Sequence, residues 1–257
     1  MRLHRIQALL RKHYYLSTNG ISRTFDMLYW PVFGLILFGL TNLFVEEQGV
    51  NITIFLIGGI IFWVFFERLQ QDINIYLLED FWSGNLANEY ATPITSAERL
   101  VALSITALTR GIISFGFMTI IAILLYNYNP ITISITGLLY AIPLFLTAWG
   151  IGSFVAGIVL QHGIRLQMVA WAVATLIQPI AAVYYPVSIL PQWLQTIAYL
   201  TPLAHIFEGY RAATQGNFNI ETLILATLLA TIYFLAGYLW FIRSEHKAKE
   251  SGMIAEN

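Results

Sequence analysis

Cysteine is absent from the sequence and charge is scarce. Without cysteine there is no disulfide frame, no thiolate nucleophile and no cysteine-ligated metal site. Only 11% of the residues are charged, against about 25% in a soluble domain, which points to a chain whose solvent is lipid. The histidines His4, His13, His162, His205 and His246 are scattered over separate segments and form no H-E-x-x-H metal helix. A nucleotide-binding G-x-x-x-x-G-K-[ST] loop is missing: Gly111 to Gly116 has the glycine spacing but continues as Phe117-Met118. There is no Gly-x-Ser-x-Gly elbow either, and ionisable residues at mid-bilayer depth are nearly lacking. No basic face suited to nucleic acid exists beyond a short N-terminal arm. Together these gaps leave no catalytic residue, no metal site and no bound cofactor to expect. They argue against an enzyme and against a nucleic-acid partner.

What the chain does have is long apolar runs. A spanning helix needs roughly 20 mostly apolar residues to cross about 30 Å of hydrocarbon. The sequence predicts an all-α integral membrane protein, one helical membrane domain over 1–257, with six spans at about 25–45, 49–67, 102–126, 131–160, 166–184 and 221–242. Glu46 to Gly49 reads as a short turn and Tyr126-Asn127-Tyr128-Asn129-Pro130 as another. With six spans, the N-terminal arm, the 67–99 segment, the Gln161–Arg165 turn and the 243–257 tail share one side, and hold eleven of the thirteen Lys and Arg residues. Cytoplasmic segments carry the positive excess, so both termini are expected in the cytoplasm.

The first two dozen residues do not read as a cleavable signal, because their basic residues are spread rather than clustered before an apolar core. At 100° per residue, Leu3, Ile6, Leu10 and Tyr14 share one helix face while Arg5, Arg11 and Lys12 lie opposite. This predicts a helix over 1–23 lying in the cytoplasmic membrane interface and touching membrane lipids. The plainer alternative is a solvated basic tail that only sets topology.

Between Glu67 and Arg99 lies the one long charged stretch inside the apolar chain. Its centre, Glu79-Asp80-Phe81-Trp82-Ser83-Gly84-Asn85-Leu86-Ala87-Asn88, is the expected partner contact; Glu67, Arg68, Glu98 and Arg99 read as span boundaries. Phe81 and Trp82 would be exposed apolar anchors, Gly84 a sharp bend, and Glu79 and Asp80 suit a helix N-terminus. Arg68 and Asp72 stand at i, i+4 as a surface pair. Arg110 falls inside the third span, an intramembrane charge and therefore a functional suspect; alternatively it snorkels to the inner boundary or pairs with Glu67 or Asp72.

Residues 185–212 read as an extracytoplasmic re-entrant hairpin. Pro186, Pro191 and Pro202 argue against one continuous helix and predict two short ones starting near Pro191 and Pro202. Trp193, Ile197 and Leu200 would share a face of the first, with Glu208 and Arg211 in the second. Aromatic belts account for Trp30, Tyr126, Tyr128, Tyr184, Tyr185 and Trp240. Gly152/Ala156 and Ser153/Gly157 give the small-xxx-small spacing of close helix packing.

Asp26-Met27-Leu28-Tyr29-Trp30-Pro31, Leu78 to Leu86, Thr92-Pro93, Gln178-Pro179, the run from Tyr185 to Leu194, Thr201-Pro202 and Phe207-Glu208-Gly209-Tyr210-Arg211 together resemble a known layout. It is similar to the permease subunit of type-2 ATP-binding-cassette exporters, the class that includes polysaccharide and drug exporters. The resemblance covers nearly the whole chain. It implies a homodimeric half-transporter of the bacterial plasma membrane that recruits a separate cytoplasmic ATPase carrying ATP and Mg. It further implies a coupling helix over Glu79–Asn88, a second ATPase contact from the N-terminal helix, and a 185–212 hairpin at the outer end of the pathway. An ATPase-independent transporter or channel is the competing reading, with a membrane-embedded enzyme behind it; against the former, no midplane acid–base relay or inverted repeat is visible.

Overall fold

In the computed structural model, residues 2–18, 21–49 and 52–252 are described, and every regular element among them is helical. Helix α1 is Leu3–Thr18 and α2 is Ile21–Glu46. A π-helical turn, Ile54–Gly58, leads into α3, Gly59–Trp82, and then the short α4, Leu86–Tyr90. Helix α5, Ser96–Tyr126, is followed by the single turns α6, Pro130–Ile133, and α7, Ile135–Leu138. Helix α8 is Ala141–His162, α9 is Val169–Ile177, α10 is Gln192–Leu200, α11 is Pro202–Thr214 and α12 is Ile220–Glu250. Residues 1, 19, 20, 50, 51 and 253–257 of the expected interfacial helix, second span and tail lie outside the described residues. So do the side chains of Arg23, Asp26 and Met27.

Four segments are long and apolar enough to cross a membrane: Leu28–Glu46, Ser96–Tyr126, Ile135–Leu166 and Ile220–Glu250. They overlap the expected first, third, fourth and sixth spans. The fourth is not one helix from residue 131, because Ser134 is extended (φ −158°) and its hydroxyl accepts the Gly137 N–H at 2.8 Å, starting α7 afresh. The sixth runs on to Glu250, so the expected free tail is partly helix with Ser244 and Glu245 buried.

The expected second and fifth spans are not among the four. Helix α3 is unbroken, but Glu67, Arg68, Asp72, Glu79 and Asp80 share it with its apolar half. It is the central helix, packed by α5, α8 and α9 and buried along most of its length. That enclosure is why charges are tolerated in it: neighbouring protein, not lipid, meets them. The fifth expected span, 166–184, is helical for only nine residues. Pro179 has no N–H to continue the ladder and its ring crowds the preceding turn, and Ala182 then adopts a left-handed φ of 53°. Carbonyls freed there find a donor in Arg211, whose Nη1 bonds the Ala182 oxygen at 2.8 Å and the Val183 oxygen at 3.3 Å. Glu208 holds this arginine at 3.2 Å and accepts the Val187 N–H at 2.7 Å.

Glycine permits the closest helix contacts. A Cβ on Gly237 of α12 would sit 2.0 Å from the Gly150 oxygen of α8, so the two backbones touch directly. Gly152 faces the Gln70 carbonyl of α3, and Gly157 faces Trp240 and Ser244 of α12, so the small-residue pattern serves packing within the chain. At the start of α3, Gly59 abuts the Val183 carbonyl, which a Cβ would approach to 2.6 Å.

The contacts sort to two ends. At one, α1, the last turn of α3, α4, the start of α5 and the end of α12 meet through charged groups. At the other, the Tyr128 and Tyr210 hydroxyls bond at 2.9 Å, Ser134 Oγ donates to the Ala213 carbonyl at 3.1 Å, and the Arg211 guanidinium lies 5.0 Å from the Phe55 ring. Tyr128 is therefore buried in polar contact and not a belt residue. Trp193, Ile197 and Leu200 are exposed along one side of α10.

Gly237→Val would force α8 and α12 apart. Overpacking of this kind costs about 1–3 kcal/mol, so the purified variant is expected to melt several degrees below wild type. Gly116→Val, where a Cβ meets open space, should not.

Candidate functional site

The segment singled out in sequence is not a loop. Glu79 to Trp82 form the last turn of α3, and a tight reversal leads into α4. Gly84 takes φ 64°, the Gly84 N–H bonds the Phe81 carbonyl at 3.1 Å, and the Asn85 N–H bonds the Asp80 carbonyl at 2.9 Å. This is a Schellman closure with glycine at the left-handed position. Ser83 Oγ adds a bond to the Glu79 carbonyl at 2.7 Å. Glu79 and Asp80 thus stand at a helix C-terminus, where the backbone dipole opposes negative charge, and not at the N-terminus expected for them.

Basic residues brought in from elsewhere compensate. The Lys12 ammonium of α1 bridges the Asp80 and Glu89 carboxylates. Arg99 Nε donates to Glu89 Oε1 at 2.8 Å and its Nη1 to Glu245 Oε2 at 3.3 Å, while Lys249 Nζ reaches Glu245 Oε1 at 2.7 Å. The Arg99 guanidinium lies 3.9 Å from the centre of the Tyr90 ring. Three cations and three carboxylates alternate, which is how buried charges escape the cost of isolation. Burial works against the Glu89 charge, but Arg99 and Lys12 overcome it and lower its pKa to about 2. Burial, with Glu89 beside it, raises Asp80 to about 6 despite Lys12.

Helix α1 is held by the same end. Glu98 caps both α5 and α1: its carboxylate accepts the Thr95 N–H at 3.0 Å and the Arg2 N–H at 2.6 Å, and Arg5 pairs with it at 3.5 Å. Arg5 also bonds the Pro93 carbonyl. Further along, His13 meets Thr106 at 2.9 Å and Arg110 Nη1 meets Ser17 at 3.5 Å, so α1 advances beside the first half of α5. Its buried stripe is Ile6, Leu9 and His13, packed on Ala102. Leu3 and Tyr14 are exposed, so the apolar face is rotated from the one expected. Arg5 and Lys12 are engaged within the chain, and Arg11 alone of the three expected basic positions is exposed.

Other expected site residues divide by burial. Phe81 is buried in the core, because the closure turns it inward, and so it is no surface anchor. Trp82, Ser83, Gly84 and Asn88 are exposed and Asn85 is half-buried. The Trp82 indole N–H donates to Gln167 Oε1 at 2.9 Å and its ring stacks parallel to Trp171. A notch of about 420 Å³ lies between α1 and the turn, with Lys12, Leu16, Asp80, Trp82 and Ser83 on its walls. Arg68 and Asp72 are both buried, not a surface pair; Asp72 accepts from Arg110 Nε at 2.8 Å. Glu98 and Arg99, read as span boundaries, are central to the assembly. The Thr95-x-x-Glu98 capping box was the signal available for the first; the Glu89–Arg99–Glu245 chain has no local signature.

A second feature is a cleft between α2, α3 and α9. Two adjoining cavities, of about 490 and 170 Å³, share Trp30, Arg68, Gln71 and Trp171. Glu67 Oε1 accepts from Gln71 at 3.0 Å on this wall.

Compared with known proteins, the chain matches the family profile described as "ABC-2 type transporter" over residues 6–214. No curated protein matches it.

The charge cluster gives a pH dependence. Asp80 titrates at about 6 in the folded chain against an ordinary 3.8, so the folded form holds this proton more tightly and its contribution to stability falls as pH rises through that window. Glu89, lowered from 4.5 to about 2, contributes fully above 4.5 and less as pH falls. The melting temperature of wild type relative to Asp80→Asn is therefore expected to rise as pH is lowered from above 6 towards 3.8. A flat difference across that range would refute the assignment.

Proposed function

We propose, for a chain that belongs to the ABC-2 type transporter family, that it is an export permease driven by ATP hydrolysed on a separate cytoplasmic ATPase. The observation that carries this is the exposed reversal at Trp82, Ser83 and Gly84, mounted on a helix that runs without interruption from Gly59. A partner pressing on that reversal acts directly on the central helix. Trp82 offers the exposed aromatic surface typical of interface hot spots, and the notch beside it, floored by Asp80 and Lys12, suits a polar side chain of the partner.

Six crossings are the topology this reading requires, with α3 and the broken α9 segment joining the four apolar spans. It is supported by the segregation of contacts: residues 12, 80, 89, 99 and 245 share one end, while 55, 128, 182 and 211 share the other. The N-terminal arm, the 67–99 segment, the Gln161–Arg165 turn and the 243–257 tail hold eleven of the thirteen Lys and Arg residues, which supports a cytoplasmic placement of the first end in a bacterial cell, with both termini there. Two copies would face each other across the cleft between α2, α3 and α9, giving a pathway whose wall carries Glu67, Arg68 and Gln71 among indoles. A half-site of this kind is completed by a second half, so a homodimer with two ATPase subunits is the expected assembly. The hairpin of α10 and α11 forms its outer end.

Trp82→Ala is the discriminating variant. Co-expressed with its ATPase, it is expected to fold normally yet lose at least about tenfold in ATPase retention on purification, as for an interface aromatic worth roughly 1.4 kcal/mol or more. Phe81→Ala should instead destabilise the permease itself by about 3–5 kcal/mol, as a buried phenyl does. Full retention and full stimulated ATPase activity in Trp82→Ala would rule out coupling through this turn.

A further inference from the structure

A groove of about 430 Å³ runs along the flank of the bundle between α1 and α5. Leu10 and Tyr14 line it from α1, and Ile105, Thr109 and Ile113 from α5, with Arg110 among them. Arg110 divides this groove from the interior cavity that also contains Arg68 and Glu79. Its Nε is bonded to Asp72, and its Nη1 lies 3.5 Å from Ser17 Oγ and 3.4 Å from the Tyr76 hydroxyl. Its Nη2 carries two N–H groups and makes no hydrogen bond among the described residues. Exposed Arg11 stands one residue from Leu10 and three from Tyr14, flanking the α1 rim.

Further along α5 the lining changes character. Ile113 leads at i+4 to Phe117, which borders a second groove of about 520 Å³ formed with Tyr29, Phe33 and Ile36 of α2. That second groove is almost wholly hydrocarbon. Depth agrees with the division: Arg110 to Tyr126 is about 24 Å of helix at 1.5 Å per residue, against about 30 Å of membrane hydrocarbon. Arg110 is thereby set a few ångströms inside one boundary, with the apolar groove deeper.

We propose that these two grooves hold one phospholipid with an anionic head group. Its phosphate accepts from Arg110 Nη2, with Arg11 drawing the head group to the rim. An acyl chain follows Ile113 and Phe117 between α5 and α2. Charge at one end, hydrocarbon at the other and the membrane boundary between them match a phospholipid, whereas a soluble anion would leave the second groove unfilled. The proposal stands apart from the ATPase reading and needs only that the chain is embedded in a bilayer.

The test uses the full chain in nanodiscs of equimolar phosphatidylcholine and phosphatidylglycerol, with retained lipid counted by native mass spectrometry. Wild type is expected to keep phosphatidylglycerol over phosphatidylcholine by about tenfold, because both lipids present the phosphate but only choline adds a cation that Arg110 and Arg11 repel. Thr109→Trp fills the head-group groove while leaving the Arg110–Asp72 pair intact, and should abolish the preference at an unchanged melting temperature. Equal retention of the two lipids by wild type overturns the proposal whatever the variant does. Undiminished preference in a folded Thr109→Trp overturns it as well. Both leaflets of a nanodisc present the lipid, so neither outcome depends on which end is cytoplasmic.

Discussion

Glu89 is the group on which the rest of this structure depends. It sits on a five-residue helix that packs through Leu86 and Tyr90, and it receives Lys12 from the first helix and Arg99 from the fifth. Through Arg99 it is linked to Glu245 of the last helix. In a chain with so few charges, placing them in one alternating chain removes a distributed electrostatic term and concentrates it at one end. A single carboxylate then ties together elements more than 150 residues apart in sequence. Removing one member of such a chain leaves its neighbours buried without a counter-charge, so the cluster behaves as a unit.

The opposite end is held by a different device. There the problem is backbone, because the chain stops being helical after Ile177 and its carbonyls lose their ladder partners. In hydrocarbon each such group costs several kcal/mol. Arg211 answers with a fixed fork of donors, steadied by Glu208. Arginine suits this task better than lysine, since its planar guanidinium reaches two carbonyls in a set geometry. One end is therefore closed by side chain on side chain, and the other by side chain on main chain.

Much of this was legible. The prolines at 191 and 202 mark helix starts because the ring fits a first turn, and α10 and α11 begin at Gln192 and Pro202. Asn127 and Gly84 lie where the chain turns left-handed. Arg110 pairs with Asp72, one of the two carboxylates its depth offered. What failed was the assumption that charge means surface. Asp80, Glu98 and Arg99 are buried because partners come from distant segments, and nothing in a local window records that. Periodicity also misjudged α1: its stripe is rotated because His13 packs on Tyr76, 4.6 Å between ring centres, and counts as core despite its polarity. The stretch 166–184 read as one continuous span, since hydropathy does not register the break at Pro179, and α9 ends at Ile177.

Helix α3 is about 35 Å long at 1.5 Å per residue, and no joint interrupts it between the Gly84 reversal and Gly59. It behaves as a push-rod. Its tip at Ser83 is connected along one continuous helix to Gly59, which bears directly on the Val183 carbonyl without an intervening side chain. That carbonyl is one of the two gripped by Arg211. The two ends of the bundle are thus joined by one uninterrupted helix and one contact made without a side chain.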